Sequence, residues 1–335
     1  AALAVRDLNA RGGVAGQQVR LVVRNDACNP VRAATVAKAL ARQNVQFVAG
    51  HFCSGPSIVA SEIYAKNSIL QISPSSTNPA LTDRAAKRGW RNVHRVCGRD
   101  DDHGRVAGKY LAANLKGKTI AILHDQSIYG KDLADKAVES MIAAGAPPPF
   151  YVAFAAGEPD YAELVVKLKE AEITVIYLGG YHVDAALLMR HAHEQGYTPQ
   201  LVSSDALATD EYWKIAGPSA EGTLVSQARD PRTLPAAKLT VARFRAQNVE
   251  PKGATLRTYA AVQVWAAAAK RAGSLKMAAV SKAIRGNAYD TVIGRLTFDD
   301  KGDITNPDYV WRIWSKGRLR NTLKVCPTGC EALLR

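Results

Sequence analysis

No stretch of these 335 residues stays apolar for the ~18–20 positions that a membrane-spanning helix needs. Glycine signatures of nucleotide sites are missing too: neither G-x-G-x-x-G nor G-x-x-x-x-G-K-[ST] occurs. Gly179-Gly180 ends one apolar run, but Tyr181-His182 follow and place bulk where a pyrophosphate needs bare backbone. There is no G-x-S-x-G elbow for a nucleophile, and no C-x-x-C or Cys/His zinc spacing. The histidines make no metal site: His191 and His193 point to opposite faces of one helix, and His51, His124 and His182 each follow a separate strand. Acids are outnumbered, 30 against 44 Lys and Arg, for a net charge of +14. That excess is spread along the chain. Its densest cluster, Arg84, Lys87, Arg88, Arg91, Arg95 and Arg99, is expected to face Asp100-Asp101-Asp102. With no aromatic RNA-binding strand and no helix-turn-helix, nucleic acid is not an expected partner.

What is present is enough for two domains. The chain is 47% hydrophobic and 22% charged, ordinary values for a globular protein, and its length exceeds one common domain. Residues 1–10 read as an amphipathic helix and not as a secretory leader, and starting inside a helix suggests that something precedes it. Helical and strand patterns then alternate. Strands are expected at 19–25, 45–49, 70–72 and 93–96, with helices at 3–11, 30–43 and 57–67. A second series gives strands at 119–124, 150–154, 175–178, 201–203 and 223–226, with helices at 104–115, 129–144, 160–171 and 183–195. Such alternation argues for parallel, helix-covered sheets. The last third reads as helices 234–247, 256–271 and 275–285, and strands 295–298 and 309–314 around Asp299-Asp300-Lys301-Gly302-Asp303. Too few strands remain there for a third domain. The expected lobes are therefore 1–100 with 228–305, and 101–227 with 306–335, so that the chain crosses between them more than once.

Residues 45–79 hold the main functional signal. Two apolar runs there empty into small polar loops, Gly50-His51-Phe52-Cys53-Ser54 and Ser73-Pro74-Ser75-Ser76-Thr77. In open α/β sheets the carboxyl ends of strands are where ligands bind. Hydroxyls, loop N–H groups and the helix start near Ser57 suit a carboxylate. In the second series Tyr129, Tyr181 and Asp205 follow three strands. They suit an ammonium group through cation–π contact and charge pairing. Cys53 and Ser54 beside His51 are the best nucleophile candidates, but residues so close in sequence rarely hold attack geometry. The chain is read as a binder, not an enzyme, with no metal and no cofactor.

Five cysteines occur. Cys28 and Cys53 follow the expected strands 19–25 and 45–49. If these strands are neighbours the two thiols share a sheet edge, and a bond between them is worth roughly 3 kcal/mol in the chain-entropy model. Buried free thiols in a cytosolic protein are the alternative. Cys326 and Cys330 have the spacing of a small tail bridge, which leaves Cys97 unpaired.

Together the residues resemble the periplasmic leucine/isoleucine/valine-binding proteins, the solute receptors of branched-chain amino acid ABC importers. The matching segments are Asn25-Asp26-Ala27-Cys28-Asn29-Pro30, Gly50-His51-Phe52-Cys53-Ser54, Pro74-Ser75-Ser76-Thr77, His124-Asp125…Tyr129-Gly130, Gly179-Gly180-Tyr181-His182, Ala220-Glu221-Gly222 and Phe298-Asp299-Asp300-Lys301-Gly302-Asp303, in order and to about Arg320. The resemblance implies two Rossmann-like lobes with parallel sheets, joined by three hinge crossings, of the type I periplasmic binding protein class. It implies an extracytoplasmic, monomeric receptor that closes over one amino acid, aliphatic or branched-chain, and hands it to an ABC permease. Ser54, Ser75, Ser76 and Thr77 would hold the α-carboxylate and help shape the amino-group site. Asp205 would pair the ammonium, with Tyr129 and Tyr181 closing from the second lobe, and the family disulfide falls on Cys28 and Cys53. A ligand-sensing regulatory or receptor module of the same fold is the alternative. This chain departs from the family in three places. It begins after the family's first strand, Asp205 and the Ser75-Ser76 pair replace the usual glutamate and alanines, and Thr255-Leu256-Arg257 is one residue short of an aromatic-bearing segment.

Overall fold

The computed structural model describes residues 1–115 and 117–321. The chain divides into two units, Ala1–Arg99 with Asp230–Pro307 and Asp100–Arg229 with the chain from Asp308, so it passes between them three times. In chain order the strands are β1 (Phe47–Ala49), β2 (Leu70–Ser73) and β3 (Val93–Arg95) in the first unit. The second unit contains β4 (Ile120–His124), β5 (Phe150–Ala153), β6 (Val175–Gly179), β7 (Gln200–Ser203) and β8 (Leu224–Ala228). Then β9 (Tyr289–Thr291) and β10 (Gly294–Leu296) return to the first, and β11 (Tyr309–Ser315) and β12 (Arg318–Asn321) to the second. Both units are α/β and are built on parallel sheets, as the two-lobe reading expected.

In the first unit β1, β2 and β3 form a parallel sheet in that order. Helix Thr255–Ala272 covers it through Ala261, Val264 and Trp265, which join Leu70 and Ile72 in one core, and Phe47 stacks on Trp265 at 4.9 Å. In the second unit the order is β12-β11-β8-β7-β6-β4-β5, with only the β11 pairings antiparallel. Its middle strands are buried on both faces: Ile122 and Tyr177 pack into one core, and their neighbours Leu123, Ile176 and Leu178 into the other. That is why the runs at 119–124 and 175–178 are continuously apolar and do not alternate.

Several expectations need correction. Residues 19–25 form no strand; the segment is mostly exposed and its backbone joins no sheet ladder among the described residues. A strand persists only where a neighbour completes its hydrogen bonds, and here Val19 is held instead by the Asn9 side chain through its N–H and carbonyl. The helix expected at 57–67 begins at Ser54. The helix expected at 234–247 is a 3₁₀ turn, Pro235–Ala237, followed by Lys238–Arg245, since Pro235 cannot donate to the ladder. Four further elements were not among those expected: helices Ala80–Lys87 and Asp210–Ala216, strand β9, which pairs β10, and strand β12, which pairs β11. The arginine cluster is also tied elsewhere: Arg95 pairs with Asp303, Arg99 with Asp303 and Asp83, and Arg84 and Arg88 with Glu62.

Ion pairs also join distant segments of the first unit. Buried Asp7 receives the Arg243 guanidinium and the Tyr259 hydroxyl. Burial pushes its carboxyl up, but the Arg243 and Tyr259 bonds outweigh this and hold it below the ordinary range. A carboxyl depressed in the folded state adds stability that is full above its unfolded pKa, about 3.9, and drains away as pH falls through the folded value. Asp7→Asn is therefore expected to flatten the acid limb of the stability curve below about pH 5. Urea titrations at pH 3 to 7 check this, and an unchanged acid limb would overturn it.

Candidate functional site

In the first unit the site is built on two adjacent parallel strands. Loop 50–54 follows β1, and loop 73–77 starts at the end of β2. Nearly every acceptor in the first loop is used inward. The Gly50 carbonyl accepts from Gln71 Nε2 at 3.2 Å, and the His51 carbonyl from Ser73 Oγ at 2.9 Å and Ser76 Oγ at 3.2 Å. Ser76 Oγ lies 3.1 Å from the Phe52 carbonyl, and 2.6 Å from Ser57 Oγ. The His51 N–H donates to Ser57 Oγ at 3.1 Å. The N–H groups of Phe52, Cys53, Ser54, Gly55 and Thr77 have no hydrogen bond among the described residues. Ser54 and Gly55 open helix Ser54–Lys66, whose first-turn donors have no intrahelical partner and no side-chain cap from Cys53. A loop whose carbonyls point in and whose N–H groups are left over offers the donor geometry that suits an anion.

The predicted serines separate into two roles. The buried hydroxyl of Ser54 accepts the Asn78 N–H at 3.2 Å and keeps its own proton to donate. Half-buried Ser75 has a hydroxyl with no hydrogen bond among the described residues, and so has Thr77. Ser76 is different: its hydroxyl is spent on the His51 and Phe52 carbonyls, so it braces the loop. Sequence reasoning missed Ser57 and Ser73, which hold the same carbonyl. The available signal was their position, one in the first helical turn and one at the last strand residue. Beneath the loop, His51 Nδ1 lies 2.5 Å from Asp26 Oδ2 and Nε2 lies 3.0 Å from the Tyr64 hydroxyl. The His51 hydrogen bond holds the Asp26 carboxyl below its usual range against partial burial. Cys28 and Cys53 are joined, with Cα atoms 5.5 Å apart, and buried Cys97 lies outside that bond, its thiol 3.6 Å from the Ser76 carbonyl. Cys326 and Cys330 lie outside the described residues.

In the second unit the other residues follow β4, β6 and β7, neighbours in the sheet with parallel direction. Tyr129 lies in the first turn of helix Ile128–Ala143, Tyr181 caps helix His182–Glu194, and Asp205 opens the 3₁₀ turn after β7. The Tyr129 and Tyr181 rings are 5.1 Å apart, and the Tyr129 hydroxyl bonds to Ser204, a partner the sequence had not shown. Asp205 is half-buried, and its carboxylate has no hydrogen bond or ion pair among the described residues. Burial first, then Asp205 and Asp100, push the Tyr129 hydroxyl well up; burial, Asp125, Asp100 and Asp205 do the same to Tyr181. Both phenols stay neutral in this negative field. Such a surface prefers a cation. The motif glycines have a packing reason: a Cβ on Gly130 would lie 2.4 Å from the Gly179 carbonyl, and one on Gly179 would lie 2.1 Å from that of Gly130. His124, His182 and His191 are each tied to separate partners, Gln126, Glu211 and Asp160.

Two α/β units linked by three chain crossings, each with polar loops at the carboxyl ends of its strands, define a solute-binding protein. The chain belongs to the periplasmic binding protein family, whose model matches residues 1–318. Among its relatives is the Leu/Ile/Val-binding protein homolog 1 of Brucella suis, 41% identical over 94% of this chain and 84% of its own length. An amino acid binding protein of Pseudomonas aeruginosa is 39% identical over 95% of this chain and 85% of its own. A leucine binding protein of Thermotoga maritima superposes with a TM-score of 0.86 at 23% identity, over 95% of this chain and 91% of that one. A solute-binding protein of Rhodopseudomonas palustris, in complex with 3,4-dihydroxybenzoic acid, superposes at 0.79 with 18% identity, over 96% and 91%.

Proposed function

We propose that this protein is a periplasmic receptor for an amino acid, aliphatic or branched-chain, which it delivers to an ABC permease. The Ser54 and Thr77 groups, the Ser75 hydroxyl and the open N–H groups of the first unit would take the α-carboxylate, and Ser76 would stiffen their loop. Asp205 would pair the ammonium, with Tyr129 and Tyr181 as its aromatic walls. The observation that carries the reading is Asp205, a half-buried carboxylate with no partner among the described residues, beside two neutral tyrosines. An aromatic acid such as the ligand of the Rhodopseudomonas palustris protein has no cation to satisfy such a group. The relatives named for leucine, isoleucine and valine support the same ligand class. A monomer without enzymatic activity is part of the proposal. Calorimetry with the twenty amino acids tests it: heat is expected with leucine, isoleucine or valine, and none with leucinamide, which lacks the carboxylate. No heat with any amino acid would overturn the reading.

A further inference from the structure

We propose that His51 is a positioning residue of the carboxylate-binding loop, locked by Asp26, and that ligand affinity depends on this lock. The inference rests on the reading of loops 50–54 and 73–77 as the carboxylate site. His51 has no direct role in that reading, yet it is the point where the loop's internal bonds meet. Its carbonyl takes the Ser73 and Ser76 hydroxyls, and its N–H goes to Ser57. Those bonds aim the loop's carbonyls inward and leave the N–H groups of residues 52–55 outward. The ring of the same residue is held at both of its nitrogens. Nδ1 is 2.5 Å from Asp26 Oδ2, Nε2 is 3.0 Å from the Tyr64 hydroxyl, and the ring stacks on Tyr64 at 5.8 Å.

A carboxylate on Nδ1 holds the proton on that nitrogen, so Nε2 is left to accept from Tyr64, as second partners orient histidines at metal sites. Asp26 is itself fixed from its own side. Its Oδ1 accepts the Cys28 N–H at 2.9 Å, and Cys28 is bonded to Cys53, two residues after His51. The lock is thus a closed circuit: Asp26 to His51 by hydrogen bond, His51 to Cys53 by the chain, Cys53 to Cys28 by disulfide, and Cys28 back to Asp26. Asp26 and Tyr64 are the titratable groups bonded to the ring.

The test compares three variants. His51→Asn keeps an N–H where Nδ1 was and can still reach Asp26, whereas His51→Gln places its amide near the Nε2 position and reaches Tyr64 instead. His51→Ala reaches neither. Amide hydrogen exchange of the ligand-free protein reads the loop directly, at the Ser76 N–H that bonds Ser73 Oγ. Calorimetry with L-leucine reads the site. Alanine and glutamine are expected to speed Ser76 exchange and to weaken leucine binding about 10- to 100-fold, the usual loss when a supporting partner behind a binding group is removed. Asparagine is expected to restore both to within about threefold of wild type, under 1 kcal/mol. A role in packing alone would favour glutamine as much as asparagine. Equal behaviour of those two variants overturns the lock by Asp26. Faster Ser76 exchange with unchanged leucine affinity overturns its coupling to the site. If the wild type itself takes no amino acid, the functional reading fails, and the exchange comparison still decides whether Asp26 and His51 set the loop.

Discussion

Asp205→Ala is expected to weaken amino-acid binding by at least about 30-fold, since truncating one partner of a desolvated charge pair costs roughly 2–5 kcal/mol. The fold should not notice. The Asp205 side chain bonds to nothing among the described residues, and its structural contribution is a backbone carbonyl that accepts the Ala208 N–H at 3.0 Å, which alanine retains. Thermal midpoint and circular dichroism should stay at wild-type values while calorimetric affinity collapses. Asp205→Glu, with the longer acid more usual in the family, should keep most of the affinity, and Asp205→Asn should lose most of it. The neutral tyrosines beside Asp205 cannot replace its charge. If Asp205→Ala binds within about tenfold of wild type, 1.4 kcal/mol, the ammonium partner is another group.

A second large effect is expected on stability. Asp303→Ala should cost about 3–5 kcal/mol, the usual consequence of leaving one member of a buried ion pair without its partner. Arg95 is wholly buried, and its Nε lies 2.6 Å from Asp303 Oδ1. Its two terminal nitrogens donate to the Ser76 carbonyl at 2.8 Å and to Thr82 Oγ1 at 2.7 Å. Asp303 also receives Thr82 Oγ1 at 2.9 Å and Arg99 Nη1 at 2.7 Å. Removing the carboxylate leaves one arginine in the core with no counter-charge at 2.6 Å and frees the carbonyl end of the serine loop. By contrast Arg84→Ala, which breaks a solvent-screened bridge to Glu62, should leave the urea midpoint close to that of wild type. Urea denaturation of the three proteins separates the cases. An Asp303→Ala loss below about 1 kcal/mol would mean that water solvates Arg95 easily, and would sink the argument from burial.

Asp303 also shows where legibility ended. Asp299-Asp300-Lys301-Gly302-Asp303 was readable as a turn, and a turn it is. Asp299 Oδ1 collects the N–H groups of Lys301, Gly302 and Asp303, each at 2.9 Å, and Gly302 has φ 100. Its docking on β3, where the Gly302 carbonyl accepts the Arg95 N–H at 3.0 Å, lies about two hundred residues from the loop it stabilises. No local pattern carries such a contact. Arg95 accordingly looked like one member of a surface cluster.

The sequence by itself determined the elements with strong local causes. Apolar runs became the buried strands β4 and β6, Asn29-Pro30 and Ser127 started helices by capping free N–H groups, and strand-to-loop transitions located the polar residues at the sheet edges. Residue order and spacing were enough to indicate the family. Only the tertiary structure decided which hydroxyl faces out and which is spent inside: Ser75 and Ser76 are adjacent and chemically identical, and the partners that tell them apart, the His51 and Phe52 carbonyls, come from another strand's loop. It also decided that 19–25 is no strand and that the Asp205 carboxylate stands without a partner among the described residues. The Ser76 partners lie 24 and 25 residues away in the chain, and periodicity and spacing do not encode such contacts.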